Sequence, residues 1–201
     1  MAGLRERKKL ATRNAIRTAG MRLFGERGFA GTTVDQIAEA ADVSRATVFS
    51  YFATKEDIVF GDAPMAVEAL ASRLREREPG ETTIAAARAW IGDLQGWLEP
   101  ELALQVRLAR EVPVVGARRL QLAKAIERVI ADSLEAEVGP EKHLAARLAA
   151  ASLVAALDTA EEAAVARMEH HERALSAAEA TALLDDAVAF VEAGLATVAG
   201  R

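Results

Sequence analysis

Apolar side chains in this 201-residue sequence recur three and four positions apart along most of its length, and nowhere do they alternate with polar ones over the span of a strand. That period fits an α-helix and excludes a sheet, so the expected fold is all-α, with about nine helices. The first convincing stripe is Ile16, Ala19, Gly20, Leu23 and Phe24, ended by Gly25 and Gly28. Thr33 with Gln36 three residues later is a capping box that opens a second helix, whose inner face is Val34, Ile37, Ala38 and Ala41. Asp42-Val43-Ser44 interrupts it, Ser44 caps a third helix from Arg45, and Thr54 with Asp57 caps a fourth. Gly61, Asp62 and Pro64 break or kink that helix, because proline has no N–H to give the preceding turn.

Further along, Val67, Leu70, Ala71 and Leu74 restore the period, and Pro79-Gly80 is a loop. Ile84, Ala87, Ile91, Leu94 and Leu98 form the next stripe. A segment from Pro100 ends at Pro113, and a helix carrying Ile126, Val129, Ile130 and Leu134 closes at Gly139-Pro140. Pro140 opens a long helix from Leu144 to about Met168. Ser176 with Glu179 caps the last, which carries Leu184, Ala187, Val188, Val191, Leu195 and Val198.

Large side chains and charge divide the chain unevenly. Phe24, Phe29, Phe49, Tyr51, Phe52 and Phe60 fall in the first sixty residues, which leaves Trp90, Trp97 and Phe190 for the rest. A small module needs bulky residues for a core of its own, so residues 1–55 are expected to form a separate domain and residues 56–201 a larger helical one. The first sixty residues hold ten Lys/Arg against seven Asp/Glu, whereas the net charge of the whole is −5. A basic segment on an acidic body suits a polyanionic partner at one end, although a solvated helix face has the same charge pattern.

Two short helices joined by a three-residue turn and braced by a longer one make a helix-turn-helix, here over about residues 32–51, with 45–51 as its second helix. In VSRATVFSYF, Val43, Val48 and Phe52 pack inward and leave Arg45, Thr47, Ser50 and Tyr51 outside. Short hydroxyl and aromatic groups beside a helix N-terminus suit close contact with phosphates and base edges, where long chains would lose more entropy.

The run IRTAGMRLFGERGFAGTTVDQIAEAADVSRATVFSYFATKEDIV resembles the N-terminal DNA-binding domain of the TetR/AcrR transcriptional regulators. Its landmarks stand in order: Leu23-Phe24, Glu26-Arg27-Gly28-Phe29, Thr32-Thr33-Val34, Ile37-Ala38, Val43-Ser44, Phe52 and Lys55-Glu56. The resemblance covers residues 10 to 60 and implies a helical homodimer, a double-stranded operator DNA partner and a divergent effector-binding C-terminal domain. It also implies that Ser44, Arg45, Thr47, Ser50 and Tyr51 face DNA and that Thr33 and Lys55 reach phosphates. Arg45 suits bidentate contact with guanine, and the basic arm Arg5 to Arg13 suits salt-sensitive, non-specific attraction. Two positions depart from the family pattern. Asp42 stands where glycine is usual in the turn, a place aspartate tolerates in the left-handed region, and Phe49 stands where many members have tyrosine.

For the larger domain, the alanine-rich stretches 144–168 and 180–198 allow close helix approach and are the expected dimer interface, or else an ordinary intramolecular face. Trp90, Leu94, Trp97, Leu104, Leu108, Val112, Leu153 and Leu157 line either an apolar effector pocket or plain core. The phrase YFATKEDIVFGD resembles actinobacterial members with acyl-coenzyme A-like ligands, which implies an acyl chain in that slot and phosphates near Arg107, Arg110, Arg118 or Arg119. The break at Gly61 to Pro64 is then the expected hinge.

Other classes fit poorly. The chain has no cysteine, hence no disulfide or thiolate chemistry, and no glycine-rich phosphate loop. Its histidines are His143 and the adjacent His170 and His171, which point different ways on a helix. No metal, cofactor or catalytic role is expected. The basic start is not followed by an apolar signal segment, and the longest apolar run, LAAASLVAAL, is too short to span a bilayer, so a cytoplasmic, membrane-free protein is expected. The alternative is a helical adaptor without DNA binding, and repression is adopted over activation as the family's usual mode.

Overall fold

In the computed structural model, which describes residues 3–61, 63–94, 101–169 and 177–199, the chain is all-helical, with no strand among the described residues. Ten α-helices follow one another: α1 Leu4–Arg27, α2 Val34–Ala40, α3 Arg45–Tyr51, α4 Lys55–Val59, α5 Ala63–Arg75, α6 Thr83–Leu94, α7 Leu102–Glu111, α8 Pro113–Val138, α9 His143–Glu169 and α10 Ala177–Ala199. The backbone forms two compact units, Met1–Asp62 with Arg107–Arg119, and Ala63–Val106 with Leu120–Arg201. The first unit thus runs past residue 55 to Asp62, because Ile58 and Val59 of α4 are fully buried in it.

The caps read from the sequence form as hydrogen bonds. Thr33 and Gln36 exchange both bonds of their box, the Ser44 side chain accepts the Thr47 amide, and Thr54 and Asp57 form the second box. Between α2 and α3, Asp42 adopts φ 53°. The Val43 amide reaches the Ala38 carbonyl and the Asp42 amide that of Glu39, the paired bonds of a Schellman turn. Beneath these turns Ile16, Leu23, Phe24, Phe29, Ile37, Val48 and Phe52 are buried, and the rings of Phe24 and Phe29 lie 5.1 Å apart. Gly20 lets α1 and α4 approach, since a Cβ there would lie 2.6 Å from Cγ2 of Ile58.

Some helix limits differ from those the sequence suggests. α1 begins at Leu4 rather than near Ile16, so the basic residues 5 to 13 are helical and continuous with the stripe behind them. Pro113 opens α8 instead of only closing what precedes it, as proline's fixed φ allows at a first helical position. The turn from α7 is tight, and a Cβ on Gly116 would lie 2.6 Å from the Ala109 carbonyl oxygen. Pro140 opens a short 3-10 turn, Pro140–Lys142, before α9. The expected positions Leu98, Pro100 and Ser176 lie outside the described residues.

The second unit packs α5, α6, α9, α10 and the later part of α8 around one core, in which Leu70, Leu74, Ile130, Leu134, Leu153 and Leu184 are buried. Ala146, Ala149 and Ala150 of α9 are buried in the same core, where their small side chains let helices approach closely. A polar network closes one end: Glu137 of α8 accepts the Thr83 amide at 2.7 Å and its hydroxyl at 2.6 Å, beside Ser133 and Arg77. Thr83 is fully buried, so a carboxylate from a distant helix caps α6.

Candidate nucleic-acid interface

The amphipathic split of α3 decides what it can present. Val48 is buried and Phe52 closes the helix inward, while Ser44, Arg45, Phe49 and Ser50 are exposed and Thr47 and Tyr51 are half-buried. Five predicted contact residues therefore share one short helix and its cap. Ser44 Oγ accepts the Thr47 amide at 3.0 Å and lies 2.8 Å from the Thr47 hydroxyl. The Ser50 hydroxyl donates to the Thr47 carbonyl at 2.7 Å. These local bonds hold short side chains against the backbone, so little entropy remains to be lost on contact with a ligand.

Thr33 caps α2 and is exposed, and its oxygen accepts the Gln36 amide at 3.2 Å. Lys55 is positioned differently from a freely reaching phosphate ligand. Its ammonium donates to the carbonyls of Phe29 at 2.6 Å and Thr32 at 2.9 Å, and sits 4.1 Å from the centre of the Phe29 ring. Burial holds its pKa below the ordinary lysine value, against the opposing pull of Glu56. Lys55 thus ties down the loop that carries Thr33, and it keeps a further N–H for other use.

Arg45 is exposed, and its Nη1 donates to Oδ2 of Asp35 at 2.7 Å while its guanidinium lies 5.5 Å from the centre of the Phe49 ring. Asp35 was not legible as a partner from the sequence, since ten residues and a turn separate the two.

Arg13 was assigned to the basic arm, yet it works inside the domain. Its Nη1 donates to the Tyr51 carbonyl at 2.9 Å and its Nη2 to the Gly61 carbonyl, with the guanidinium 4.4 Å from the centre of the Phe52 ring. An arginine therefore caps the C-terminal end of α3, which favours a cation there. One signal was available, because Arg13 falls on the apolar stripe of α1 with Ile16, Gly20 and Phe24. Gly61 faces Arg17 so closely that a Cβ would lie 2.2 Å from its Cδ.

The predicted effector residues divide between the units. Leu153 is core, Trp90 and Leu157 pack against that core, and Leu104 belongs to the same unit. Leu108, buried, and Val112, half-buried, belong to the first unit. Leu94 ends α6, and Trp97 lies outside the described residues. Arg107, Arg110, Arg118 and Arg119 also belong to the first unit, where Nη2 of Arg118 pairs with Oδ1 of Asp57 at 2.8 Å. None of the described helices is long and apolar enough to cross a membrane.

Residues 16–60 match the family described as bacterial regulatory proteins, tetR family. The HTH-type transcriptional regulator TcmR of Streptomyces glaucescens is 31% identical over 146 residues, 68% of this chain and 65% of that protein, so the match spans just under two thirds of the relative. Among solved structures, the fatty acid degradation regulator FadR from Bacillus halodurans superposes with a TM-score of 0.62 at 20% identity, covering 89% of this chain and 96% of the other. FadR from Bacillus subtilis in complex with stearoyl-CoA gives 0.60 at 19% identity, covering 90% and 97%. Residues 16–60 thus match the tetR family of bacterial regulatory proteins, and nearly the whole chain shares its fold with these solved regulators.

Proposed function

We propose that this protein is a sequence-specific, ligand-responsive transcriptional regulator that acts as a homodimer on double-stranded operator DNA, represses in its effector-free form and works in the cytoplasm without a catalytic role. The observation that carries this reading is the outer face of α3, where Ser44, Arg45, Thr47, Ser50 and Tyr51 stand together above a fully packed three-helix core. In this reading Arg45 engages guanine in the major groove, the hydroxyls of Thr33, Ser44 and Ser50 meet phosphates or base edges, and Lys55 offers its remaining N–H to a phosphate. Residues 5 to 9 of α1 add a salt-sensitive attraction.

A dimer would present two such helices about 34 Å apart or a multiple of it, matching successive major grooves. Leu144, Leu148 and Phe190 support pairing through α9 and α10, because these large apolar side chains are well exposed in the single chain. The effector class is a small hydrophobic molecule, with an acyl-CoA-like compound favoured by the stearoyl-CoA held by the Bacillus subtilis neighbour. Its apolar part would lie among Trp90, Leu104, Leu153 and Leu157 of the second unit. An effector with higher affinity for the DNA-incompetent shape lowers operator occupancy by that difference in affinity.

The test is fluorescence anisotropy of labelled duplexes tiled upstream of the protein's own gene, over a range of salt. Tight, salt-steep binding to one tile above weak binding elsewhere is expected, with release on adding an acyl-CoA. No binding to any tile at low salt would remove the regulator and leave a helical adaptor.

A further inference from the structure

Asp35 places a carboxylate on the face that would meet a polyanion, where it repels phosphate. It also lies in the first turn of α2, and Arg45 is the first residue of α3, where the helix dipole disfavours a cation. Their side chains pair at 2.7 Å with more than half of each exposed, so solvent screens the attraction and little stability follows. What the pair supplies is orientation. The Asp35 carboxylate engages one Nη of the guanidinium and fixes the rotation of its fork. Phe49, four residues along α3, lies beneath the same group and limits its tilt. A free arginine has many rotamers to lose on binding, whereas one held in this way has most of that ordering done beforehand. The fork also keeps an open edge for a bidentate acceptor such as guanine O6 and N7.

We infer that Asp35 is a positioning residue for base recognition: together with Phe49 it holds Arg45 in the attitude that reads guanine, so it raises specificity while lowering general affinity for DNA. The inference rests on the protein being a sequence-specific regulator that reads bases through Arg45. It accounts for an acidic side chain on a surface otherwise suited to phosphates, and it gives the ring of Phe49 a use that needs no hydroxyl.

The experiment is enrichment of duplexes from a random-sequence library by the full chain and by Asp35→Asn, Asp35→Glu and Arg45→Ala, with thermal melting to compare folding. The wild type should enrich a two-fold motif with guanine at one position of each half-site. Asp35→Asn should keep the rest of the motif but lose about tenfold in preference for that guanine, the same position that Arg45→Ala loses. Its binding to a scrambled duplex should become tighter and more salt-dependent, because the freed guanidinium can meet a phosphate. Asp35→Glu should restore part of the guanine preference. An Asn variant with unchanged guanine preference overturns the inference, and so does one that weakens every motif position equally, which would mark a merely structural role. If Arg45→Ala keeps the motif, Arg45 is not the reader and the inference falls while the regulator stands. If the wild type enriches no motif, the proposed function itself falls.

Discussion

Among the described residues Asp42 is the one non-glycine with a positive φ, and it occupies the position at which a Schellman turn favours glycine. Aspartate bears the left-handed conformation better than most side chains but still at some cost, so Asp42→Gly should stabilise the protein by about 0.5 kcal/mol, read as a higher urea midpoint at unchanged slope. Lys55 poses the opposite case. Replacing it by methionine removes the ammonium from over the Phe29 ring and leaves the carbonyls of Phe29 and Thr32 without their donor, and should destabilise the chain by about 1–3 kcal/mol in the same assay. A loss of DNA affinity with no loss of stability would show instead that Lys55 serves DNA alone. The sequence revealed that Asp42 must turn and that Lys55 begins a helix. It did not reveal that the lysine points back at two carbonyls more than twenty residues earlier in the chain.

At the scale of elements, helix ends carry much of the specification. α2, α3 and α4 have seven, seven and five residues, too short to persist alone in water, and each is fixed by a side-chain cap and by burial of one face. α6 has a local cap too, with the Thr82 hydroxyl oxygen accepting the Ala85 amide, but its first amide and the buried hydroxyl of Thr83 are both satisfied by Glu137 on the distant α8. Glu137→Ala should therefore lower stability by about 2 kcal/mol, and Glu137→Gln by less because its amide oxygen still accepts. Thermal melting of both variants checks this, and equal, negligible changes would show that water replaces the carboxylate there. Local motifs predicted the near caps because partner and donor are three residues apart. The Glu137 cap spans more than fifty residues and has no local signature.

At the scale of the molecule, large apolar groups on α9 and α10 remain uncovered in a single chain, with Phe190 73% exposed and Leu144 68%. If these helices form the proposed dimer, Phe190→Glu should leave monomers in sedimentation velocity at concentrations where the wild type is dimeric. It should also weaken operator binding steeply, because one half-site alone supplies only part of the contact area. Dimers that persist in this variant would move the interface elsewhere on the protein. The alanines expected to allow close helix approach in these helices include Ala146, Ala149 and Ala150, which are buried within the chain's own core, while Leu144 and Leu148 face out.

The amino-acid sequence by itself determined the helical class, the caps at Thr33, Ser44 and Thr54, the turn at Asp42 and the outward face of α3, because each follows from residue types only a few positions apart. Only the tertiary structure decided where the charges go. Arg13 turned inward to cap α3, Lys55 closed a loop, Arg118 paired with Asp57 and Asp35 took hold of Arg45. A long charged side chain reaches several ångströms in any direction its backbone allows, and its partner is chosen by which carbonyl or carboxylate the folded chain brings within that reach.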